Sequence, residues 1–224
     1  MKFQRPSFLY PLFSEITLIP GIGPKTFKLL KNKIGKNIID LLFHLPHTVL
    51  NRLDNLDLKH CPTNSIITKK ILITRHISNF YNSKKPFKIL GRCENFEIEI
   101  VFFNYKGQYI EKKFPVSSNV IVSGKISWLN QRVKFTNPDY IYKSNHSMKI
   151  PKFEPIYPLT AGINNKLLGK SIRHAITLIP PDLPEWIPKK IIKENNWPSF
   201  EQALKLIHIP NSTIEVDKRS LYLQ

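Results

Sequence analysis

Short alternating runs of apolar and polar residues dominate the middle of the chain. The runs are rich in β-branched and aromatic residues and cover Ile71 to Ile73, Phe87 to Gly91, Phe96 to Phe103, Val120 to Trp128 and Arg132 to Thr136. Turn-forming residues separate them, and no long helical pattern comes between most of them. Such short strands, all within residues 63–143, predict a small five-stranded β-barrel like the OB fold. A fragment of a β-sandwich is the alternative that periodicity leaves open.

The flanking segments have helical patterns, so the predicted fold class is α+β. Residues 1–62 indicate short helices around a Gly-Ile-Gly turn, and residues 144–224 indicate a Pro-rich linker followed by helices. We therefore divide the sequence into an N-terminal segment that resembles a helix-hairpin-helix element, a central barrel at 63–143 and a C-terminal helical segment. The pattern contains no internal repeat.

Positive charge changes this picture from a fold to a candidate function. The 224 residues contain 34 Lys and Arg against 16 Asp and Glu, a formal net charge of +18. The central segment has the largest excess, with 14 basic and 5 acidic residues. Such an excess attracts polyanions and speeds their capture, which favours a nucleic-acid partner. A merely soluble basic surface is the alternative.

One predicted strand ends in an aromatic residue on its polar face. Side chains alternate across a strand, so Phe96, Ile98, Ile100 and Phe102 form the core face, and Glu97, Glu99, Val101 and Phe103 share the other. We expect the two glutamates to pair with nearby Lys or Arg. For Phe103 two interpretations stay open: the ring is covered by a neighbouring domain, or it stacks on an unstacked base.

The other candidate binding residues are basic or lie at turns. Trp128, Arg132 and Lys134 lie in the last predicted hairpin, and aromatic and basic groups together suit a single strand. Lys84, Lys85 and Lys88 would hold phosphates without reading sequence. In the first segment, Gly21, Gly23 and Lys25 belong to a turn and helix start that could bind a phosphate. The alternatives are a core Trp, a solvated strand face and a helix–helix corner that only packs.

No catalytic or metal site is predicted. Gly169-Lys170-Ser171 imitates a P-loop, but position 164 is Asn where that motif requires Gly. His44, His47, His60 and Cys61 lack the spacing and the second thiolate of a zinc site. With only two cysteines and no signal peptide or membrane span, we expect a cytoplasmic protein with no cofactor of its own.

Short motifs occur in order along most of the chain. They are Ile19 to Thr26 leading to Ile39 to Pro46, then Arg52, Phe102-Phe103-Asn104, Gly124-Lys125, Asn137-Pro138-Asp139-Tyr140, Pro155 to Gly162, and Glu201 to His208. Together they resemble the N-terminal part of the RecG family of branched-DNA helicases.

That resemblance implies a wedge that meets the branch point of replication forks and Holliday junctions in DNA recombination and repair. It makes Phe103, with Asn104, the first candidate to stack on the parting bases. Tyr105 and Tyr109 are both candidates for the second aromatic, although Gly107 is another match for that position. The family's ATPase motor would follow residue 224, so the resemblance implies a truncated or split helicase. ATP and Mg²⁺ would then enter only with a separate motor chain.

Two other functions stay open. The chain could be a generic OB protein for single-stranded DNA or RNA, with no preference for branches. It could also be a non-functional remnant, or a domain that binds another protein. Branched DNA, with single-stranded DNA as a further ligand, is the predicted partner, and no membrane is involved.

Overall fold

A computed structural model of the chain describes residues 5–52, 57–77, 85–103, 107–145, 150–181 and 183–212. The strands are β1 (Thr48–Asn51), β2 (Ile66–Ile77), β3 (Phe87–Cys93), β4 (Phe96–Phe102), β5 (Asn119–Leu129), β6 (Arg132–Thr136), β7 (Tyr140–Lys143) and β8 (Phe153–Ile156). The α-helices are α1 (Tyr10–Phe13), α2 (Pro24–Lys33), α3 (Ile38–Leu42), α4 (Gly107–Lys113), α5 (Asn165–Thr177), α6 (Lys189–Glu194) and α7 (Phe200–His208). Short 3₁₀ turns lie at Ser7–Leu9, Ile16–Leu18 and Leu58–His60.

Five strands close into a barrel, which confirms the predicted α+β fold with an OB-like core. Their order is β2-β3-β4-β6-β5, and β5 pairs back with β2. The pairs are antiparallel except β4 with β6, which is parallel. The antiparallel strand β7 adds to β5, at residues that pair with β2 as well.

Alternation of side chains fills the barrel interior. In β3 the odd-numbered residues are buried and the even-numbered ones are partly or fully exposed. In β2 the odd-numbered Ile67, Ile71 and Ile73 are buried but Lys69 is only partly so, and a bulge between Ile73 and Arg75 then shifts the register on β3. The resulting core is made of Ile, Val and Phe from the barrel strands, together with Ile110 and Phe114 at α4. At the end of β4, Phe102 and Val101 are both buried.

The chain forms two compact units that differ from the three segments of the sequence. One comprises residues 1–51 with 153–224, and the other comprises residues 52–152. The first unit joins the two flanking segments because β1 pairs antiparallel with β8, from Thr48 opposite Ile156 to Asn51 opposite Phe153. Apolar residues of α1, α2, α3, α5 and α7 make one continuous core in this unit.

A hydrogen-bonded polar trio lies within the core of this first unit. Nε2–H of His208 donates to the Leu42 carbonyl at 2.8 Å, and Nδ1 of His208 accepts from the Tyr157 hydroxyl at 3.1 Å. Since a carbonyl only accepts, Nε2 carries a proton, and because the pKa of His208 is lowered the ring is neutral near pH 7, which leaves Nδ1 as the acceptor. Burial lowers the pKa of His208 from 6.5 to about 4 and raises the pKa of Tyr157 above its ordinary value. Three of the motifs quoted above, those that contain Leu42, Tyr157 and His208, therefore meet in a packed core.

Candidate nucleic-acid interface

Phe103 lies immediately after β4, where the strand leaves the barrel. Its side chain is 43 % exposed, whereas the preceding Phe102 is 4 % exposed and packs in the barrel core. Its position beyond the last paired residue of β4 accompanies this difference, because Val101, on the same strand face as Phe103, is buried within the ladder. An exposed ring at the end of a β-barrel strand can stack on a base that has left its helix.

Asn137 fixes the backbone at Phe103. The Asn137 side-chain oxygen accepts the Phe103 N–H at 2.9 Å, and the Asn137 N–H donates to the Val101 carbonyl at 2.8 Å. Asn137 has a φ of +44°, in the left-handed region that Asn tolerates better than most residues. This single residue thus bridges the end of β4 to the turn between β6 and β7.

The same turn is anchored at its other end by a buried arginine. Arg52 contacts the Asp139 carboxylate at 2.9 Å and the Ser123 hydroxyl at 3.1 Å, and its guanidinium lies 5.0 Å from the Tyr140 ring centre. The Arg52 side chain is 3 % exposed. Arg52 therefore supports the turn that holds Phe103, and it is not itself available to DNA.

A second exposed ring follows in α4. Tyr109 is 59 % exposed, and the Lys113 ammonium lies 5.4 Å from its ring centre. Between them, Tyr109 and Lys113 offer a stacking surface beside a positive charge. Asn104, Tyr105 and Lys84, also predicted to bind DNA, lie outside the described residues.

Trp128 packs against the barrel core. Its indole N–H donates to the Cys61 carbonyl at 2.7 Å, and its ring meets Phe96 edge-on at 5.6 Å between centres. The side chain is only partly exposed and packs against the core cluster. These contacts favour the core alternative, so a role for Trp128 in binding stays a prediction.

The two glutamates of β4 have basic partners. Glu97 accepts from Nε of Arg132 at 2.6 Å, and Glu99 lies 3.0 Å from the Lys88 ammonium. Lys134 lies opposite Glu99 in the β4–β6 ladder and is partly buried. Lys85 is exposed. Arg132, Lys134 and Lys88 therefore share one outer face of the barrel, where carboxylates offset part of their charge.

The Gly-Ile-Gly turn forms in the first compact unit. Gly21 has a φ of +95°, which requires glycine, and Gly23 is the N-cap of α2 with Pro24 at its first position. Ile22 between them is buried in that unit's core. Lys25 is exposed on α2. A three-residue 3₁₀ turn precedes the glycines and α2 follows them; the helix-hairpin-helix resemblance and a role in phosphate binding stay predictions.

Two other sequence features have structural explanations. Gly169-Lys170-Ser171 lies in the middle of α5, where the backbone N–H groups are used within the helix and form no phosphate loop.

Across the described residues, no group of three or more His, Cys, Asp or Glu could hold a metal ion. Among these residues, no helix is long and apolar enough to cross a membrane.

Comparison with known proteins agrees with the fold. The family model of the RecG wedge domain matches residues 15–179. This chain belongs to the RecG wedge-domain family. The ATP-dependent DNA helicase RecG of Bacillus subtilis is 30 % identical over 205 residues, which cover 89 % of this chain and 28 % of that protein. The RecG of Staphylococcus epidermidis strain ATCC 12228 is 24 % identical over 194 residues, covering 86 % and 27 %.

A solved structure has the same fold. RecG bound to a three-way DNA junction matches with a TM-score of 0.75 at 19 % identity, over 100 % of this chain and 30 % of that one. The wedge domain described here thus spans less than a third of the RecG proteins it matches. These comparisons confirm the resemblance inferred from the short motifs.

Asn137 and Arg52 are the contributions that sequence reasoning missed. Both belong to motifs that resemble the family, but neither was assigned a task. An Asn before a Pro, between two strands, signals a turn, but the proline favours an extended residue before it, so the left-handed φ of Asn137 was not predictable. Its long-range partner, the N–H of Phe103, could not be read from that signal.

Proposed function

We propose that this RecG wedge domain binds branched DNA, at forks and Holliday junctions, with Phe103 stacked on a base beside the branch point. The proposal rests on two properties of Phe103, its exposure and its fixed backbone. The residue is 43 % exposed, while its backbone N–H donates a hydrogen bond to the Asn137 side-chain oxygen. A pre-organised aromatic loses little conformational freedom when it binds, so exposure here supports binding.

Charge and relatives support the same proposal. Arg132, Lys134 and Lys88 lie on one outer face of the same barrel, and Lys85 precedes that barrel's β3. One relative with this fold was solved on a three-way DNA junction. We propose the corresponding role in DNA recombination and repair for this chain. We further propose that unwinding needs an ATPase motor, with its ATP and Mg²⁺, that these 224 residues do not include.

The test compares a three-way junction with a linear duplex of equal length by fluorescence anisotropy. Stacking on one base contributes about 1–3 kcal/mol, so Phe103→Ala should weaken junction binding about 5- to 150-fold and leave duplex binding nearly unchanged. Phe8→Ala is the matched control, since Phe8 is also 43 % exposed but lies in the other compact unit.

Equal affinity of the unaltered protein for junction and duplex would refute the branch preference. If affinity grows instead with the length of a plain single strand, the domain is a generic single-strand binder. If nothing binds even at low salt, the remnant or protein-binding alternatives are correct.

A further inference from the structure

A second concave site lies on the outer face of the barrel, away from Phe103. It has a volume of about 150 Å³ between β2, β3, β4 and β6. Its apolar lining comes from Leu90, Gly91 and Ile98, and its charged lining from Arg92, Glu97 and Arg132. Apolar surface beside guanidinium groups is suited to a ligand that has both a flat apolar part and a negative charge.

One carboxylate lies beside two arginines at this site, and it is bonded to one of them. Glu97 lies directly opposite Arg92 in the β3–β4 ladder and accepts from Nε of Arg132 at 2.6 Å. A guanidinium has five N–H donors, so the remaining donors of Arg132 stay free to bind an anion. Arg92 is exposed and has no ion pair within the described ranges. The trio has a net charge of +1, and the fork of N–H donors on a guanidinium matches phosphate oxygens.

A row of cations connects this site with Phe103. Glu97 and Phe103 are six residues apart on and just beyond β4, which corresponds to roughly 20 Å along a strand. Lys134 lies opposite Glu99 and Lys88 opposite Val101, so both lie between the two sites on the same outer face. A backbone that ran along this face would pass Arg132, Lys134 and Lys88, with Glu99 beside the two lysines.

We propose that the Arg92–Glu97–Arg132 site binds a phosphate and its base in a single strand that continues from the branch point at Phe103. The inference rests on the proposed function, because it needs a strand that parts from its partner at Phe103. A volume of about 150 Å³ is too small for a duplex but large enough for one flat group. Single-strand binders of the OB type combine a positive track with base contacts in this manner.

The spacing makes the proposal testable through arm length. Stacked nucleotides rise about 3.4 Å each, so roughly 20 Å requires about six of them. We compare two forks whose single-stranded arms have about two and about ten nucleotides. The variant is Arg92→Gln with Arg132→Gln. The matched control is Lys70→Gln with Lys125→Gln, which removes equal charge from exposed positions of β2 and β5.

On the long-arm fork, the arginine variant should bind more weakly. Its plot of log affinity against log salt should also be less steep, by roughly 1 to 2 in the magnitude of the slope. The short-arm fork should be affected no more than by the lysine control. Glu97→Gln should strengthen binding to the long arm, because it removes a negative charge beside the phosphate. Circular dichroism verifies that every variant is folded.

Several results would overturn this proposal. The first is an equal loss of affinity on both forks by the arginine variant. The second is a loss on the long-arm fork no larger than that of the lysine control, and the third is weaker binding of the long-arm fork by Glu97→Gln. Competition by polyglutamate as effective as by a single strand of equal charge would identify an acidic peptide site instead. Phe103→Ala separates the two proposals, since it should weaken both forks. If it weakens neither, the stacking proposal fails, whereas the arginine result still tests this site on a plain single strand.

Discussion

His208 should make the stability of the first compact unit depend on pH. Its imidazole is 1 % exposed, and its folded-state pKa is about 4 against an ordinary 6.5. Because the folded value is lowered, the unfolded chain binds the proton more tightly. The stabilisation is therefore fully present above about pH 6.5 and is lost as the pH falls through about 4.

The size of the effect follows from the shift. One pKa unit corresponds to about 1.4 kcal/mol, so the difference between 6.5 and about 4 makes about 3 kcal/mol. Physically, a proton on Nδ1 of His208 would leave the Tyr157 hydroxyl facing a donor in place of an acceptor. The desolvation of the imidazolium in this core adds to the loss.

The assay is urea unfolding followed by far-ultraviolet circular dichroism, at several pH values between about 7 and about 4. His208→Gln is the control, because an amide can donate to the Leu42 carbonyl but does not titrate in this range. We expect the free energy of unfolding of the unaltered protein to fall by about 3 kcal/mol more than that of the variant. Parallel profiles for both proteins, or an NMR titration of His208 with a pKa near 6.5, would refute this reasoning.

Two further predictions concern the barrel. Asn137→Ala removes the acceptor for the Phe103 N–H and places Ala at a φ of +44°, so junction binding should weaken. When it is combined with Phe103→Ala, the loss of affinity should be smaller than the sum of the two single losses. Asn130→Ala, at a φ of +46° in the β5–β6 turn, has similar strain and should leave junction affinity unchanged; an equal loss would contradict a specific role for Asn137. Gly91→Ala should lower the free energy of unfolding by about 1–3 kcal/mol, because its Cβ would lie 2.5 Å from the Ile71 side chain. Denaturant unfolding measures this, and Gly23→Ala, with no atom within 4 Å, is a control for added volume; no destabilisation at Gly91 would contradict the crowding.

The barrel could be predicted because its strands have strong local patterns. Alternation in β3 and β6 marks the core face, whereas in β4 the predicted polar face is also buried at Glu99 and Val101. β2 was predicted only as Ile71 to Ile73, whereas it spans Ile66–Ile77. Its charged residues and its bulge break the alternation, and pairing with β3 and β5 on its two sides compensates.

Contacts between distant residues could not be predicted in the same way. The pairing of Thr48–Asn51 with Phe153–Ile156 joins strands about a hundred positions apart, and neither strand has a distinctive pattern. The hydrogen bond that the Phe103 N–H donates to Asn137 likewise depends on the parallel pairing of β4 with β6. Arg92 was missed because its neighbours in sequence suggest an ordinary strand face, and only the barrel brings Arg132 close to the same carboxylate.

The central claim is that the Phe103 ring contacts a base beside a DNA branch point. A photo-crosslinking phenylalanine analogue at position 103 tests it directly on a three-way junction with labelled strands. We expect crosslinks on the nucleotides that flank the branch point and little reaction with a linear duplex of equal length. Crosslinks spread evenly along the arms, or an equal yield on the linear duplex, would contradict the account.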